Sequence, residues 1–112
     1  MDIDALELHD AIVVDASIDY AAKRLTLRLD IYEEASYSHR TPIELVFNEM
    51  TSLSHVVDFD RLEANRFAGN VNYWLPGNDQ AQTYIYLTDG VIAIGCRQPP
   101  VAQRVEDVAR RE

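Results

Sequence analysis

The chain has a single cysteine, Cys96. No internal disulfide can form, and a reducing cytoplasm is the compartment that fits. No stretch approaches the roughly 18 consecutive apolar residues that mark a membrane-spanning helix. The first residues, MDIDALELHD, show no basic segment followed by an apolar core, so they do not read as a secretory leader. Glycine is sparse, at positions 69, 77, 90 and 95, and forms no phosphate-cradling loop. HExxH, CxxC and GxSxG are absent, as is calcium-loop spacing. Basic side chains are few where acidic ones are many. Residues 1–60 hold 13 acidic and 4 basic side chains, and residues 61–112 hold 6 of each. The formal charge of −9 therefore belongs to the first half. Such a field repels a phosphate backbone, so direct nucleic-acid binding is not expected. A protein partner with a basic surface suits it instead, as does plain solvation of an acidic surface.

What is present is the material of one folded domain spanning 1–112. Hydrophobic residues make up 47% of the 112, enough for a real core but not for two independent ones. Ile12, Val14, Ala16, Ile18 and Tyr20 alternate with Val13, Asp15, Ser17 and Asp19, which predicts a strand with one buried face. Leu25, Leu27, Leu29 and Ile31 alternate with Thr26, Arg28, Asp30 and Tyr32, and the two strands form a first hairpin without a turn glycine. Pro42 starts a third strand, in which Ile43, Leu45 and Phe47 share a face. Met50 to Ser54 reads as a turn or a bulge. Phe59, Leu62 and Phe67 have helical spacing behind a capping Asp58 or Asp60, which gives a short middle helix.

Gly69-Asn70 is a turn signal, after which Val71, Tyr73 and Leu75 are expected on one face and Asn72 and Trp74 on the other. Thr83 to Cys96 forms the clearest hairpin, two β-branched and aromatic runs around Thr88-Asp89-Gly90. Tyr84 and Tyr86 oppose Ile85 and Leu87, so each face of that strand needs a cover. Pro99-Pro100 closes the sheet region, and Val101, Val105, Val108 and Ala109 give the tail a helical stripe. The fold class is α+β: a mostly antiparallel sheet of about six strands, sandwich-like or a partly open barrel, with a middle helix and a C-terminal helix. Open sheet edges favour a homodimer.

Candidate chemistry is thin. His9-Asp10 has the form of a metal-ligand fragment or an oriented general base, but His39 and His55 lie in separate segments. Asp15, Asp19 and Asp30 sit on polar strand faces, where solvation accounts for them as well as a paired-carboxylate site would. Cys96 reads as a core thiol. Neither a metal nor a cofactor is expected. The aromatic residues Tyr73, Trp74, Tyr84 and Tyr86 are either sheet packing or a binding surface for a partner or ligand.

Leu8-His9-Asp10-Ala11, then Ala68-Gly69-Asn70-Val71 with Trp74 and Pro76, then the hairpin from Tyr84-Ile85-Tyr86-Leu87 to Gly90-Val91-Ile92 carry a resemblance. Over roughly residues 6–96 the chain resembles small β-rich bacterial proteins of unassigned biochemistry, some grouped with toxin-immunity families. That resemblance implies a cytoplasmic β-rich domain, and an immunity role would mean capture of a toxin by an acidic surface. It transfers no catalytic or binding residue. The expected function is a non-enzymatic protein-interaction module. The alternative is a small ligand-binding protein or hydrolase-like enzyme working from His9-Asp10.

Overall fold

Alternating apolar residues build eight strands that pair into two antiparallel sheets in the computed structural model, which describes residues 1–33, 39–77 and 82–106. The strands are β1 (Ile12–Asp19), β2 (Arg24–Ile31), β3 (Thr41–Phe47), β4 (Met50–Val56), β5 (Val71–Leu75), β6 (Gln82–Leu87), β7 (Gly90–Cys96) and β8 (Val101–Arg104). The first sheet has the order β1-β2-β3-β8 and the second β4-β7-β6-β5. The helix α1 (Phe59–Ala64) joins β4 to β5. Neither sheet closes on itself, and the arrangement is an α+β sandwich.

The two inner faces make the core. Leu25, Leu27, Leu29, Ile31, Ile43, Leu45 and Phe47 come from the first sheet, and Val71, Trp74, Ile85, Leu87, Ile92, Ile94 and Cys96 from the second. Full burial of a Leu, Ile or Phe side chain contributes about 1.5–3 kcal/mol. These residues therefore set which face of β2, β3, β6 and β7 turns inward. The first hairpin turns without glycine because the Asp19 carboxylate accepts the Ala22 N–H at 3.0 Å and Lys23 takes the left-handed conformation at φ 55°. In the β6–β7 hairpin that conformation belongs to Asp89, at φ 61°. Gly90 serves another purpose there: a Cβ at that position would overlap the Val56 carbonyl oxygen of β4.

Several expectations are corrected. The strands number eight among the described residues, not six. Met50–Val56 is a full strand, not a turn, and it carries the expected bulge between Met50 and Ser52. Val101–Arg104 is also a strand, not the start of a helix, because it pairs along β3 and buries Ala102 opposite Leu45. An open edge of backbone donors and acceptors outweighs the weak helical stripe. Helix begins only after the strand, at Val105 and Glu106, and the remainder of the expected C-terminal helix, 107–112, lies outside the described residues. In β1 a bulge at Val14 breaks the alternation, so Ala16 and Ile18 keep the inward phase while Ile12 and Val14 lose it. As an edge strand, β1 leaves even Ile18 38% exposed. On α1 only Leu62 packs on the core, while Phe59 and Phe67 stand in solvent. The Asp58 cap does form, its carboxylate accepting the Arg61 N–H.

The N-terminal segment is tied across the sandwich beside β5. Asp10 N–H donates to the Val71 carbonyl at 2.9 Å, and the Ala11 carbonyl accepts from both Asn70 and Val71. Asn70 is buried. Its side-chain oxygen accepts the Val13 N–H at 3.0 Å and its amide donates to the Leu62 carbonyl at 2.9 Å. Arg40 adds to this joint, donating to the carbonyls of Asp10 and Phe67 with its guanidinium over the Tyr32 ring. Leu8-His9-Asp10-Ala11 and Ala68-Gly69-Asn70-Val71 thus meet as one structural joint.

Candidate interaction surface

The outer faces of the two sheets differ in chemistry. Across the first sheet, Asp15, Arg28, Glu44 and Gln103 form a cross-strand row. Arg28 donates to Glu44 at 3.0 Å and Gln103 to the other Glu44 oxygen at 3.3 Å. Asp19 lies opposite Arg24, and Ile12 opposite Asp30. The three aspartates thus occupy separate rows, two of them facing arginines, which is a solvated charged face and not a paired-carboxylate site.

The outer face of the second sheet carries no charge. Its rows run Tyr73–Tyr86–Val91–Val56, then Leu75–Tyr84–Ala93–Ser54, then Gln82–Gly95–Ser52. Tyr73, Leu75 and Val56 are 51%, 50% and 62% exposed. Three tyrosines form a continuous stack. The Tyr73 and Tyr86 rings lie 4.6 Å apart at 22°, and Tyr86 and Tyr84 lie 6.0 Å apart at 18°. Each such pair adds about 0.5–1.5 kcal/mol beyond its buried area. The stack also holds the rings in place, which lowers the ordering cost when another surface covers them.

A bulge makes this stack. The register of β5 on β6 shifts between Val71 and Tyr73, so Asn72 is the extra residue. Val71 and Trp74 then point into the core, and Tyr73 comes to lie opposite Tyr86. The expected grouping of Val71, Tyr73 and Leu75 is corrected accordingly. Trp74 leaves the aromatic group altogether: it is 7% exposed, and its indole N–H donates to the Leu6 carbonyl at 3.0 Å. Leu75, Val91 and Val56 were not picked out as surface residues from the sequence. Val91 follows once Tyr86 is set outward and the hairpin register counted. Val56 was hidden because the Ser- and Thr-rich β4 has little hydrophobic alternation.

The histidine sites stay apart. His9 and His55 are exposed, His55 on β4 opposite Ile92, and His39 precedes β3. Among the described residues no three His, Cys, Asp or Glu side chains are placed to hold a metal ion. His9 Nδ1 lies 2.7 Å from the Asn72 carbonyl oxygen, and Nε2 lies 3.4 Å from the Asp10 carboxylate. Both ring nitrogens face acceptors, so the charged imidazolium is favoured. The Asn72 carbonyl is the largest cause and Asp10 the next; slight desolvation opposes them and Glu7 adds to them, leaving the pKa above its ordinary 6.5. Held to the Asn72 carbonyl through Nδ1, His9 acts as a clasp on the β5 bulge. Cys96 is a buried free thiol whose pKa burial raises, which makes it inert.

The clasp has a pH signature. The folded-state pKa of His9 is raised, so its stabilisation is complete below the unfolded-state value and is lost as pH rises through the folded-state value. By NMR, the His9 ring is expected to titrate above 6.5 and to move down toward 6.5 in Asp10→Asn. A midpoint unchanged by that substitution would remove Asp10 from the clasp.

The molecule is thus an α+β sandwich with one charged outer face and one uncharged, tyrosine-bearing outer face. No helix among the described residues is long and apolar enough to cross a membrane. Comparison with protein-family models, with curated proteins and with solved structures finds no match.

Proposed function

We propose that this protein is a non-enzymatic interaction module that presents the outer face of the β4-β7-β6-β5 sheet to a protein partner. The uncharged tyrosine stack in a chain of net charge −9 is the observation that carries the reading. Tyrosine is enriched at binding hot spots because it offers large, stiff contact area with a polar tip. The stacked rings supply the centre of such a surface, with Leu75, Val91 and Val56 around them. The acidic surface elsewhere suits a partner whose contact rim is basic, drawn in by long-range attraction. Toxin capture, the role implied by the resemblance to bacterial immunity families, is one form of this function. A cytoplasmic location goes with it.

The test is affinity capture from the source cell at physiological salt, using the wild-type chain and folded Tyr86→Lys. The captured protein is then purified and its affinity measured. A central tyrosine contributes roughly 2 kcal/mol or more to an interface. Replacing it with a charge is expected to weaken binding by a factor of about 30 or more. A partner bound equally well by Tyr86→Lys would place the interface elsewhere. Turnover of a small molecule by the pure protein, lost in His9→Ala, would overturn the module reading in favour of the enzyme one.

A further inference from the structure

We propose that β4 is a dimerisation edge, pairing antiparallel with β4 of a second copy of this chain. The inference is independent of what binds the tyrosine face. Each sheet has two edges, and the other three are protected. β1 is bulged at Val14 and carries Asp15 and Asp19. β5 is bulged at Asn72, and its carbonyl there is held by His9. β8 is four residues long and follows Pro99-Pro100. Short length, bulges, inserted charge and proline are the ways in which proteins stop edges from pairing.

β4 has little of this protection. Its seven residues, MTSLSHV, include no acidic or basic side chain other than His55, and no proline. Its one bulge, between Met50 and Ser52, leaves Ser52 to Val56 regular. Beside it opens a cleft of about 350 Å³, lined in part by Ile18, Tyr20, Met50 and Leu53. Tyr20 is 85% exposed there. A second copy seated on β4 lies against these apolar groups.

Charge selects both the occupant and the direction. Two chains of −9 repel, so they meet most readily where carboxylates are fewest, and β4 has none. Near its Met50 end, Lys23 and Arg97 balance Asp19 and Glu49; Lys23 accepts the Met50 N–H through its carbonyl, and Arg97 N–H donates to the Glu49 carbonyl. Past its Val56 end stand Asp58 and Asp60, while Arg61 is paired with Asp89. Antiparallel pairing sets the balanced end of each copy against the acidic end of the other, whereas parallel pairing sets acid against acid. The product is one eight-stranded sheet in which the two tyrosine faces are continuous.

Sedimentation equilibrium of the purified chain tests this across a micromolar-to-millimolar range. The expected mass is twice that of the chain. Ser54→Lys places like charges at the centre of the pairing and is expected to weaken the dimer by about tenfold or more. Circular dichroism confirms that the variant is folded. Ser54→Cys treated with a short bismaleimide is expected to cross-link in pairs, while the wild-type chain, whose thiol is buried, is not. Tyr86→Lys is expected to remain dimeric, which separates this edge from the partner-binding face. A wild-type chain of single mass throughout overturns the proposal. So does a dimer of undiminished affinity in folded Ser54→Lys, or one abolished by Tyr86→Lys alone.

Discussion

Gly69→Ala is expected to lower the thermal midpoint by roughly 15 °C, a loss of about 4 kcal/mol for a domain of this size. Two effects combine. Gly69 has φ +121°, a conformation that L side chains rarely adopt, and forcing one there costs about 1–3 kcal/mol. The new methyl also has nowhere to go. A Cβ at Gly69 would lie 2.5 Å from the Asp10 Cα and overlap the Asp10 carbonyl, and these are backbone atoms that no rotamer change can move. Relief requires the joint between the N-terminal segment and β5 to open, at the expense of the Ala11–Asn70 and Asp10–Val71 hydrogen bonds. Urea or thermal unfolding followed by circular dichroism measures the loss. A shift of only a few degrees would show that the joint yields at little cost. Asp10 itself sits at φ 64°, so both sides of the contact already use special backbone.

Asn70→Ala comes next in size, with an expected loss of about 2–4 kcal/mol. The side chain is an acceptor for Val13 N–H and a donor to the Leu62 carbonyl, and truncation strands both in partly buried surroundings. Each unsatisfied group costs about 1–3 kcal/mol, more than the bond itself contributes net. Among the described residues no buried side-chain nitrogen or oxygen lacks a partner, so in the folded wild-type chain both groups at Asn70 are satisfied. Asn70→Asp separates the two halves of the interaction. It keeps an acceptor for Val13 but sets a carboxylate against the Leu62 carbonyl. Asp is therefore expected to be no better tolerated than Ala. If Asp were tolerated at wild-type stability, the Leu62 contact would carry little weight. The bond from Val13 also sits next to the β1 bulge. Hydrogen exchange at the Val13 amide is expected to accelerate in both variants.

These two residues show how far the chain could be read in advance. Gly69-Asn70 was legible as a turn because glycine tolerates positive φ. Its contact was not legible, since the Asp10 backbone is far away in sequence and nothing local points to it. The same holds at Gly90, which reads as a hairpin glycine but is kept by the approach of β4. The strands β2, β3, β6 and β7 were legible because they lie inside their sheets and every second residue is buried against the opposite layer. Edge strands were legible only in part: β1 and β5 were expected as strands, while β4 and β8 were not. β1 and β5 carry bulges that shift their phase partway along, β4 buries too little to alternate, and β8 is a strand only because β3 offers it an edge.

The surface was legible in part, for similar reasons. Tyr84 and Tyr86 were identifiable as a second face needing cover. Tyr73 was recognised as aromatic, but the Asn72 bulge is what turns it toward Tyr86. Trp74 carries the same kind of signal in sequence and faces the other way. The His9-Asp10 pair was visible as a dipeptide, and its use as a clasp depended on the Asn72 carbonyl.

By itself the sequence determined an α+β chain with an acidic first half, the inward faces of its inner strands and the site of its clearest hairpin. Periodicity, charge and turn chemistry are local, and local patterns suffice where burial repeats every second residue. The tertiary structure alone decided the division into two sheets, the strand pairing of the tail, the bulges, and the separation of one charged outer face from one bearing stacked tyrosines. Those depend on which strands lie side by side. That is a matter of hydrogen-bond pairing and packing between segments distant in the chain, and no single segment encodes it.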